Sequence, residues 1–383
     1  MKLMKLIAKT LFGLEAVLAA ELADLGAAGI ETMNRAVSFT GSIETMYRVN
    51  YCSRTALSVL MPVGEFMISS GEDLYRNALK INWPEFMDSD SAFSVVPVVN
   101  SKLFRHSAYP GLLLKDAVAD YFRNKSGRRP SVNTADPVVL INLHISNDRV
   151  TVSLDSSGYP LYKRGYRSGQ GPAPLNEILA AGIILMSGWN GLDPLLDPMC
   201  GSGTIPVEAG LIACKIPPGK FRKKFGFTGW KNYDAELFGR IRHEAGAAVR
   251  KPDTLIRAED VSAKAIAICR ANIENAGLSG LIQTEVADFR NAKPGFSRGF
   301  IFMNPPYGKR LHAQGDDNLY SLIGTTLKHN YSGNKAWVIV PDRESLNSIG
   351  LKPGEKHKLF NGAIECILAA YELYEGSGKR RTG

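Results

Sequence analysis

The sequence predicts an α/β protein whose C-terminal half contains a mostly parallel sheet with helices on both faces. Three observations predict this fold class. From residue 173 onward, short apolar runs alternate with longer stretches that have helical spacing. A glycine-rich turn at residues 197–204 joins one apolar run to a helix. Acidic residues follow the next runs, at the strand ends where open α/β sheets bind ligands.

The N-terminal part reads as two smaller α/β units, and we expect domains at residues 1–60, 61–165 and 166–383. In the first unit we predict strands at 5–10 and 36–40 and helices at 14–22 and 43–52. In the second unit we predict helices at 74–81 and 109–122, a strand at 93–99, and a hairpin of 138–145 with 149–154. Residues 155–172 are rich in Gly, Ser and Pro and are typical of a linker.

In the C-terminal part each element is predicted from its own pattern. Helices are expected at 175–187, 205–214 and 263–276, the last capped by Ser262 and ended by Gly277. Strands are expected at 195–196, 255–259, 282–286, 300–303 and 336–340. The final strand, 366–373, is expected to form an antiparallel hairpin with 356–360 around Asn361-Gly362.

Composition limits the classes of protein. The chain has 383 residues and a formal net charge of +9, and no apolar run approaches the ~20 residues of a membrane span. The lysine-broken N-terminus predicts a first strand and not a signal peptide. Five separated cysteines argue against a disulfide framework or structural zinc and for a reducing cytoplasm. The six histidines show no metal-ligand spacing, so we expect no metal.

The turn Asp197-Pro198-Met199-Cys200-Gly201-Ser202-Gly203-Thr204 is a candidate cofactor site. Its glycines allow a ligand close to the backbone, and the helix N-terminus that follows favours an anionic group. A phosphate-binding loop needs a following Lys-Ser or Lys-Thr, which is absent. We therefore expect a nucleotide that carries an amino acid, with Asp197 taking its ammonium group.

Acids after the next two strands complete this predicted site. Of Glu259 and Asp260 we favour Asp260 as the acceptor of two ribose hydroxyls, because it lies nearer the strand end. Asp288 follows the strand at 282–286 and could accept hydrogen bonds from an adenine amine. The alternative interpretation is that Asp260 complements a helix N-terminus and that Asp288 is an ordinary loop residue.

Asn304-Pro305-Pro306-Tyr307 directly follows the apolar run at 299–303 and is the candidate catalytic motif. Two prolines stop both the sheet ladder and a helix, which frees the Asn304 side chain and the Pro305 carbonyl to accept hydrogen bonds. Two acceptors with an aromatic ring nearby suit a planar base that bears an NH₂ group. Cys200 falls in the cofactor turn, so we interpret it as structural and not as a nucleophile.

Two basic clusters are candidate RNA-binding surfaces. The first lies within residues 102–130, and the second runs from Lys215 to Lys231 with Phe221, Phe225, Phe227 and Trp230 interleaved. Cations neutralise phosphates and aromatic rings stack on unpaired bases. Solvated faces and core-packed aromatics are the alternatives. The candidate RNA contacts are Lys102, Arg105, Lys125, Arg128, Arg129, Arg164, Arg222, Lys223 and Lys224.

Residues 197–204 followed by Asn304–Arg310 resemble the class I S-adenosylmethionine-dependent amino-methyltransferases. Residues 161–167, 173–177 and 218–222 narrow the resemblance to the RlmL/YpsC group of bacterial rRNA guanine-N2 methyltransferases. This resemblance implies a Rossmann-like catalytic domain with a mostly parallel seven-stranded sheet, preceded by ferredoxin-like and THUMP α+β domains. One departure is Ser262, where the group usually has a second Asp.

The resemblance also implies site residues and partners. The cofactor would be S-adenosylmethionine, with S-adenosylhomocysteine (SAH) as product. Its contacts would come from Asp197, Pro198, Cys200, Gly201, Gly203, Thr204, Asp260, Asp288 and Asn304. The target base would be held by Asn304, Pro305 and Tyr307, and the partner would be ribosomal RNA. Alternatives are an adenine-N6 or glutamine-amide methyltransferase with the same motif, or an RNA-binding factor without catalysis.

Overall fold

The structure is a computed structural model that describes residues 2–168, 174–306 and 318–374. It contains two compact units. The N-terminal unit comprises Met1–Thr10, Leu18–Lys163 and Arg222–Glu244. The C-terminal unit comprises Leu11–Val17, Arg164–Phe221 and Ala245–Gly383. The segment from Arg222 to Glu244 therefore belongs to the N-terminal unit, although it follows the cofactor turn in sequence.

The N-terminal unit is built on one eight-stranded sheet with the order β2-β3-β1-β4-β8-β7-β5-β6. Its strands are β1 (Met4–Lys9), β2 (Ala28–Met33), β3 (Ala36–Gly41), β4 (Ser58–Met67), β5 (Ala92–Asn100), β6 (Ser131–Val132), β7 (Val139–Ser146) and β8 (Arg149–Asp155). The helices of this part of the chain are α1 (Glu15–Asp24), α2 (Ile43–Cys52), α3 (Gly71–Ala78) and α4 (Tyr109–Ser126). The predicted hairpin of β7 with β8 is confirmed by their antiparallel pairing.

Strand β4 joins the two halves of this sheet, because it pairs with β1 on one side and β8 on the other. The predicted domain boundary at residue 60 falls inside it. The sequence pattern did not predict this strand, because Pro62 and Gly64 are both unfavourable in strand interiors. The register with β8 shifts between these two residues, so an irregularity absorbs them.

The predicted linker is only partly correct. Ser156 and Ser157 are fully buried and exchange hydrogen bonds with the Asn50 side chain at 2.8 and 2.6 Å. Arg164 and Tyr166 are each 1% exposed. The small residues that suggested flexibility instead allow close packing, so residues 156–166 are part of the folded protein.

The C-terminal unit is built on a seven-stranded sheet with the order β11-β10-β9-β12-β13-β15-β14. Its strands are β9 (Leu195–Asp197), β10 (Ile256–Asp260), β11 (Ile282–Val286), β12 (Phe300–Met303), β13 (Lys335–Val340), β14 (Glu355–Asn361) and β15 (Ile364–Glu372). The helices that follow α4 in the chain are α5 (Glu177–Met186), α6 (Thr204–Ala213), α7 (Ala235–Ala247), α8 (Ala263–Asn275), α9 (Leu319–Asn330) and α10 (Arg343–Ser348).

This sheet has the predicted form. Strands β11, β10, β9, β12 and β13 are parallel, while β15 runs antiparallel to both β13 and β14. The predicted hairpin around Asn361-Gly362 is confirmed, since Asn361 pairs with Ile364. Ser262 caps α8 by accepting from the Ala265 N–H. The order of the parallel strands places β9 between β10 and β12, so the carboxyl ends of all three strands meet at one edge.

Candidate active site

A cavity of about 520 Å³ lies at the carboxyl ends of β9, β10, β11 and β12 in the C-terminal unit. This volume is within the range of small-molecule binding sites. The residues that line it include eight of the predicted ones, namely Asp197, Pro198, Cys200, Gly201, Thr204, Asp260, Asp288 and Asn304. The sequence therefore identified residues from four separate segments that the fold brings to one site.

The two glycines of the turn have different roles. Both have positive φ, 55° at Gly201 and 81° at Gly203. A Cβ at Gly201 would meet nothing within 4 Å, and this residue lines the cavity. A Cβ at Gly203 would lie 2.4 Å from the Sγ of Cys269 on α8. Gly201 thus leaves room for a ligand, whereas Gly203 is required for packing of the turn against α8.

Asp197 is the last residue of β9 and is 2% exposed. Its Oδ1 accepts a hydrogen bond from the Met199 N–H at 3.2 Å. Burial raises the pKa of the Asp197 carboxyl well above its usual value, with smaller contributions from Asp260 and Glu259. A cationic ligand group in the cavity would stabilise its ionised form.

Asp260 connects two parts of the site. One carboxylate oxygen accepts from the Gly201 N–H at 2.9 Å, and the other accepts from the Ser262 N–H at 2.8 Å. The carboxylate is therefore held in place by backbone groups. Each of its oxygens retains acceptor capacity for a ligand hydroxyl.

Asp288 lines the cavity as predicted, but the Arg290 side chain, which sequence analysis missed, is bound to it. The Nε of Arg290 lies 2.9 and 2.8 Å from the two carboxylate oxygens of Asp288, and Nη2 lies 2.5 Å from one of them. This contact lowers the pKa of the Asp288 carboxyl. Asp288 is thus an ionised acceptor.

Asn304 follows β12 and also lines the cavity. Its Oδ1 is buried, and within the described part of the chain it has no hydrogen-bond partner. Pro305 is buried and Pro306 lines the cavity. Tyr307, the predicted stacking residue, lies outside the described residues. A buried carbonyl oxygen without a partner is costly, and a ligand donor would satisfy it.

Cys200 is 7% exposed, and its pKa is raised well above the usual value by contact with the Cys269 thiol and by burial. A neutral thiol is a poor nucleophile, which agrees with the structural role expected for Cys200. Among residues 2–168, 174–306 and 318–374, no three His, Cys, Asp or Glu side chains are grouped to hold a metal ion.

Two of the predicted RNA contacts are wrong. Arg164 is 1% exposed and pairs with the buried Glu208 at 3.5 Å. Arg222 is 9% exposed and donates to the carbonyls of Ser157, Tyr159, Pro160 and Lys163. Both guanidinium groups are used inside the protein. Charge counting along the sequence does not distinguish them from exposed cations.

The predicted stacking of RNA bases on the second cluster's aromatic rings is also contradicted for three of them. Phe225, Phe227 and Trp230 are at most 4% exposed. Phe227 stacks on Tyr47 of α2, with ring centroids 4.1 Å apart, and contacts Phe238 of α7. These rings form an aromatic core of the N-terminal unit.

The remaining predicted RNA contacts are exposed, and those of the first cluster lie near both ends of helix α4. The exposed cations are Lys102, Arg105, Lys125, Arg128, Arg129, Lys223 and Lys224. Lys102 and Arg105 precede the 18-residue helix α4, whereas Arg128 and Arg129 follow it. A helix of this length separates its ends by about 27 Å. The two pairs of cations are therefore about one helix length apart.

Other cavity residues carried less sequence signal. Met199 and Ser202 lie within the predicted glycine turn, Phe289 follows Asp288, and Ser262 lies two positions after Asp260. Leu319 and Leu322 come from α9, which has no recognisable ligand-binding motif. Apolar cavity walls of this kind are not distinguishable from core positions in sequence.

The parallel sheet with its antiparallel β15, the glycine turn after β9 and Asn304-Pro305-Pro306 after β12 define a class I S-adenosylmethionine-dependent methyltransferase. Family models match an RlmL ferredoxin-like domain at residues 5–60, a THUMP domain at 69–155 and an RMKL-like methyltransferase domain at 164–370. The last match covers more than half of the chain. The chain belongs to this RMKL-like methyltransferase family, and the predicted fold class is confirmed.

Individual relatives agree with the family. Ribosomal RNA large subunit methyltransferase K/L of Psychromonas ingrahamii is 38% identical over 368 residues, 94% of this chain and 49% of the relative. The chain thus spans about half the length of that protein. The Synechocystis sp. protein named RNA methyltransferase slr0064 is 36% identical over 94% of this chain and 95% of its own length.

A solved structure shows the same architecture over its full length. SMU.472, described as a methyltransferase complexed with SAH, is 29% identical, with a TM-score of 0.87 over 98% of this chain and 100% of that chain. Within the described residues, no helix is both long and apolar enough to cross a membrane.

Proposed function

We propose that this chain transfers a methyl group from S-adenosylmethionine to the exocyclic N2 amine of a guanine in RNA, with large-subunit ribosomal RNA in the cytoplasm as the substrate. The observation that carries the proposal is the buried Oδ1 of Asn304, which has no hydrogen-bond partner among the described residues and lies in a cavity lined by Asp197, Asp260 and Asp288. The names of the relatives from Psychromonas and Synechocystis support RNA as the substrate.

The residues present fit the cofactor. The buried Asp197 carboxylate suits the ammonium of the methionine end, and the open space at Gly201 allows that end close to the turn. Asp260 is oriented by two backbone N–H groups and would accept from the ribose hydroxyls. Asp288 would accept from the adenine amine. When bound, the cofactor supplies a methyl group on a sulfonium, which is a good leaving group.

Asn304 and Pro305 would act on the target amine. An aryl amine is a weak nucleophile because its lone pair is delocalised into the ring. By accepting its two N–H bonds, the Asn304 Oδ1 and the Pro305 carbonyl would favour a more tetrahedral nitrogen and stabilise the positive charge that develops there. Tyr307 would stack on the base, which must leave any duplex to reach the cavity. Holding the amine in line with the methyl group supplies further rate enhancement.

The proposal is tested by methylation of ribosomal RNA in vitro, followed by mass spectrometry of the nucleosides. We expect N2-methylguanosine with the wild-type chain. Asn304→Ala should reduce transfer about 100-fold or more, because a transition-state acceptor is lost. Its affinity for S-adenosylmethionine should change only slightly, as measured by calorimetry.

Other products would identify the alternatives. Detection of N6-methyladenosine, or of a methylated glutamine in a protein, would identify adenine or glutamine as the target in place of guanine. The residues of the site would keep their roles. RNA binding without cofactor binding would favour a non-catalytic factor. Near-normal turnover by Asn304→Ala would refute the role assigned to its oxygen.

A further inference from the structure

Arg167 lies behind the cofactor turn and joins four groups. Its Nε donates to the Glu177 carboxylate at 2.5 Å, and Nη2 donates to the Leu175 carbonyl and the Thr204 hydroxyl, both at 2.9 Å. Nη1 donates to the Ser202 hydroxyl at 3.3 Å. The side chain is 12% exposed and that of Glu177 is 7% exposed. The ion pair is therefore largely shielded from solvent.

Three of the four partners of Arg167 line the cavity, although Arg167 itself does not. Leu175, Ser202 and Thr204 are all lining residues. Ser202 and Thr204 flank Gly203, whose φ of 81° starts helix α6. One guanidinium group thus fixes the cofactor turn and the segment before α5 relative to each other.

Asn272 on α8 supports the same turn from a second direction. Its Nδ2 donates to the Ser202 carbonyl at 2.9 Å, and its Oδ1 accepts from the Ser168 N–H at 3.0 Å. Ser168 is next to Arg167 in sequence. Arg167 thus holds the side chain of Ser202, and Asn272 holds its backbone carbonyl. These contacts fix the turn independently of any ligand.

We propose that Arg167 is a positioning residue for cofactor binding. The Glu177 carboxylate orients the planar guanidinium group of Arg167. The hydrogen bonds of that group to Ser202 and Thr204 then set the geometry of the glycine turn before the cofactor binds. The inference rests on the cofactor binding included in the proposed function. A lysine would keep the charge but could not contact Glu177, Leu175, Ser202 and Thr204 together, because it is a point charge on a flexible stem.

The test measures SAH binding by calorimetry in the absence of RNA. Arg167→Lys should weaken binding by about tenfold, which corresponds to the loss of about one charge-assisted hydrogen bond. Arg270→Ala is the matched control, since the exposed Arg270 of α8 donates to Thr284 of β11 and does not line the cavity. Its SAH affinity should equal that of wild type.

Hydrogen exchange of the ligand-free proteins separates positioning from general destabilisation. In Arg167→Lys, amides of residues 201–204 should exchange faster, while those of β13 keep their wild-type rates. Thr204→Val provides a second variant that removes one of the contacts. Its effect on SAH affinity should be less than additive with Arg167→Lys, because both changes break the same contact.

The outcomes are distinct. Wild-type affinity and wild-type exchange at residues 201–204 in Arg167→Lys would overturn the inference even if the protein methylates RNA. Equal acceleration of exchange across the sheet would also overturn it, because Arg167 would then serve only stability. Failure of the wild-type protein to bind SAH would refute the proposed function, whereas the exchange pattern of the ligand-free protein would still decide whether Arg167 fixes the turn.

Discussion

Asp197 is buried, and its proposed role of holding the ammonium group of the cofactor requires charge. In the free protein its carboxyl has a raised pKa because water is excluded from it. In the proposed complex, a bound ammonium group would favour the carboxylate, so the pKa of Asp197 would be lower than in the free protein. The free and bound states would then differ in bound protons, and the proposal predicts that affinity depends on pH between the two pKa values.

We expect SAH affinity to fall as the pH decreases through the raised pKa of Asp197. Below that pKa the free protein must release a proton before it can bind, and above it the affinity is constant. Calorimetry over this range, in buffers of different ionisation enthalpy, measures both the affinity and the proton released. Asp197→Asn should bind more weakly and lose this dependence. A wild-type affinity that rises on acidification would contradict the assignment.

At the level of single residues, the sequence predicted the cavity residues that follow strands. It did not predict contacts between side chains, such as those of Arg290 and Arg164. Asp197, Asp260, Asp288 and Asn304 each follow a predicted strand, and parallel strands bring such residues together. The contact of Arg290 with Asp288 was not predicted, since a loop arginine has many possible partners. Burial of Arg164 was equally invisible, because its partner Glu208 lies on a helix 44 residues away.

At the level of elements, the glycine turn and helix α6 form one structural piece with α8. Gly203 provides the left-handed residue at the start of α6, and Cys269 of α8 occupies the space where a side chain would be. Gly201 has the same backbone requirement, but a Cβ there would meet no described atom within 4 Å. Substitutions at the two positions can therefore be compared to separate the cost of backbone strain from the cost of steric overlap.

Gly203→Ala should destabilise the protein by about 2 kcal/mol or more, from strain at positive φ and overlap with Cys269. Gly201→Ala should cost only the strain, about 1 kcal/mol. Denaturant unfolding of the ligand-free protein measures both. The double variant Gly203→Ala/Cys269→Ala should be less destabilised than the sum of its single changes, because the overlap is relieved. Equal losses for the two glycine variants would show that Cys269 does not restrict the turn.

Elements with regular patterns were predicted well, and irregular ones were not. The hairpin of β14 and β15 followed from an Asn-Gly turn between two alternating runs. Strand β4 was missed because proline and glycine within it indicate a break, and only its pairing with β1 and β8 shows that the strand continues. Local strand propensity gives the wrong prediction for such a segment, because pairing with strands distant in sequence stabilises it.

At the level of the whole molecule, the net charge of +9 suits a polyanionic partner but overstates the cations available to it. The side chains of Arg164 and Arg222 make contacts inside the protein, and Lys224 pairs with Asp136. Lys102, Arg105, Arg129 and Lys223 are exposed and have the access that phosphate contacts need. Exposed and buried cations predict different consequences when they are removed.

Arg222 and Lys223 are adjacent in sequence and provide a direct test. Arg222 donates to four carbonyls and lies 3.6 Å over the Tyr159 ring, so Arg222→Ala leaves buried acceptors unsatisfied. We expect it to lower the free energy of unfolding by about 2–3 kcal/mol. Lys223 is exposed, so Lys223→Ala should leave stability unchanged.

For RNA binding we expect the reverse: Lys223→Ala should change the salt dependence of the affinity, and Arg222→Ala should not. If Lys223 contacts a phosphate, its removal reduces the slope of log affinity against log salt by up to about one. Arg222→Ala, measured well below its unfolding temperature, should keep the wild-type slope, because a buried guanidinium releases no counterions from RNA. Chemical denaturation and salt titration of both variants measure these effects. A reduced salt slope in Arg222→Ala with unchanged stability would mean that this arginine faces RNA after all.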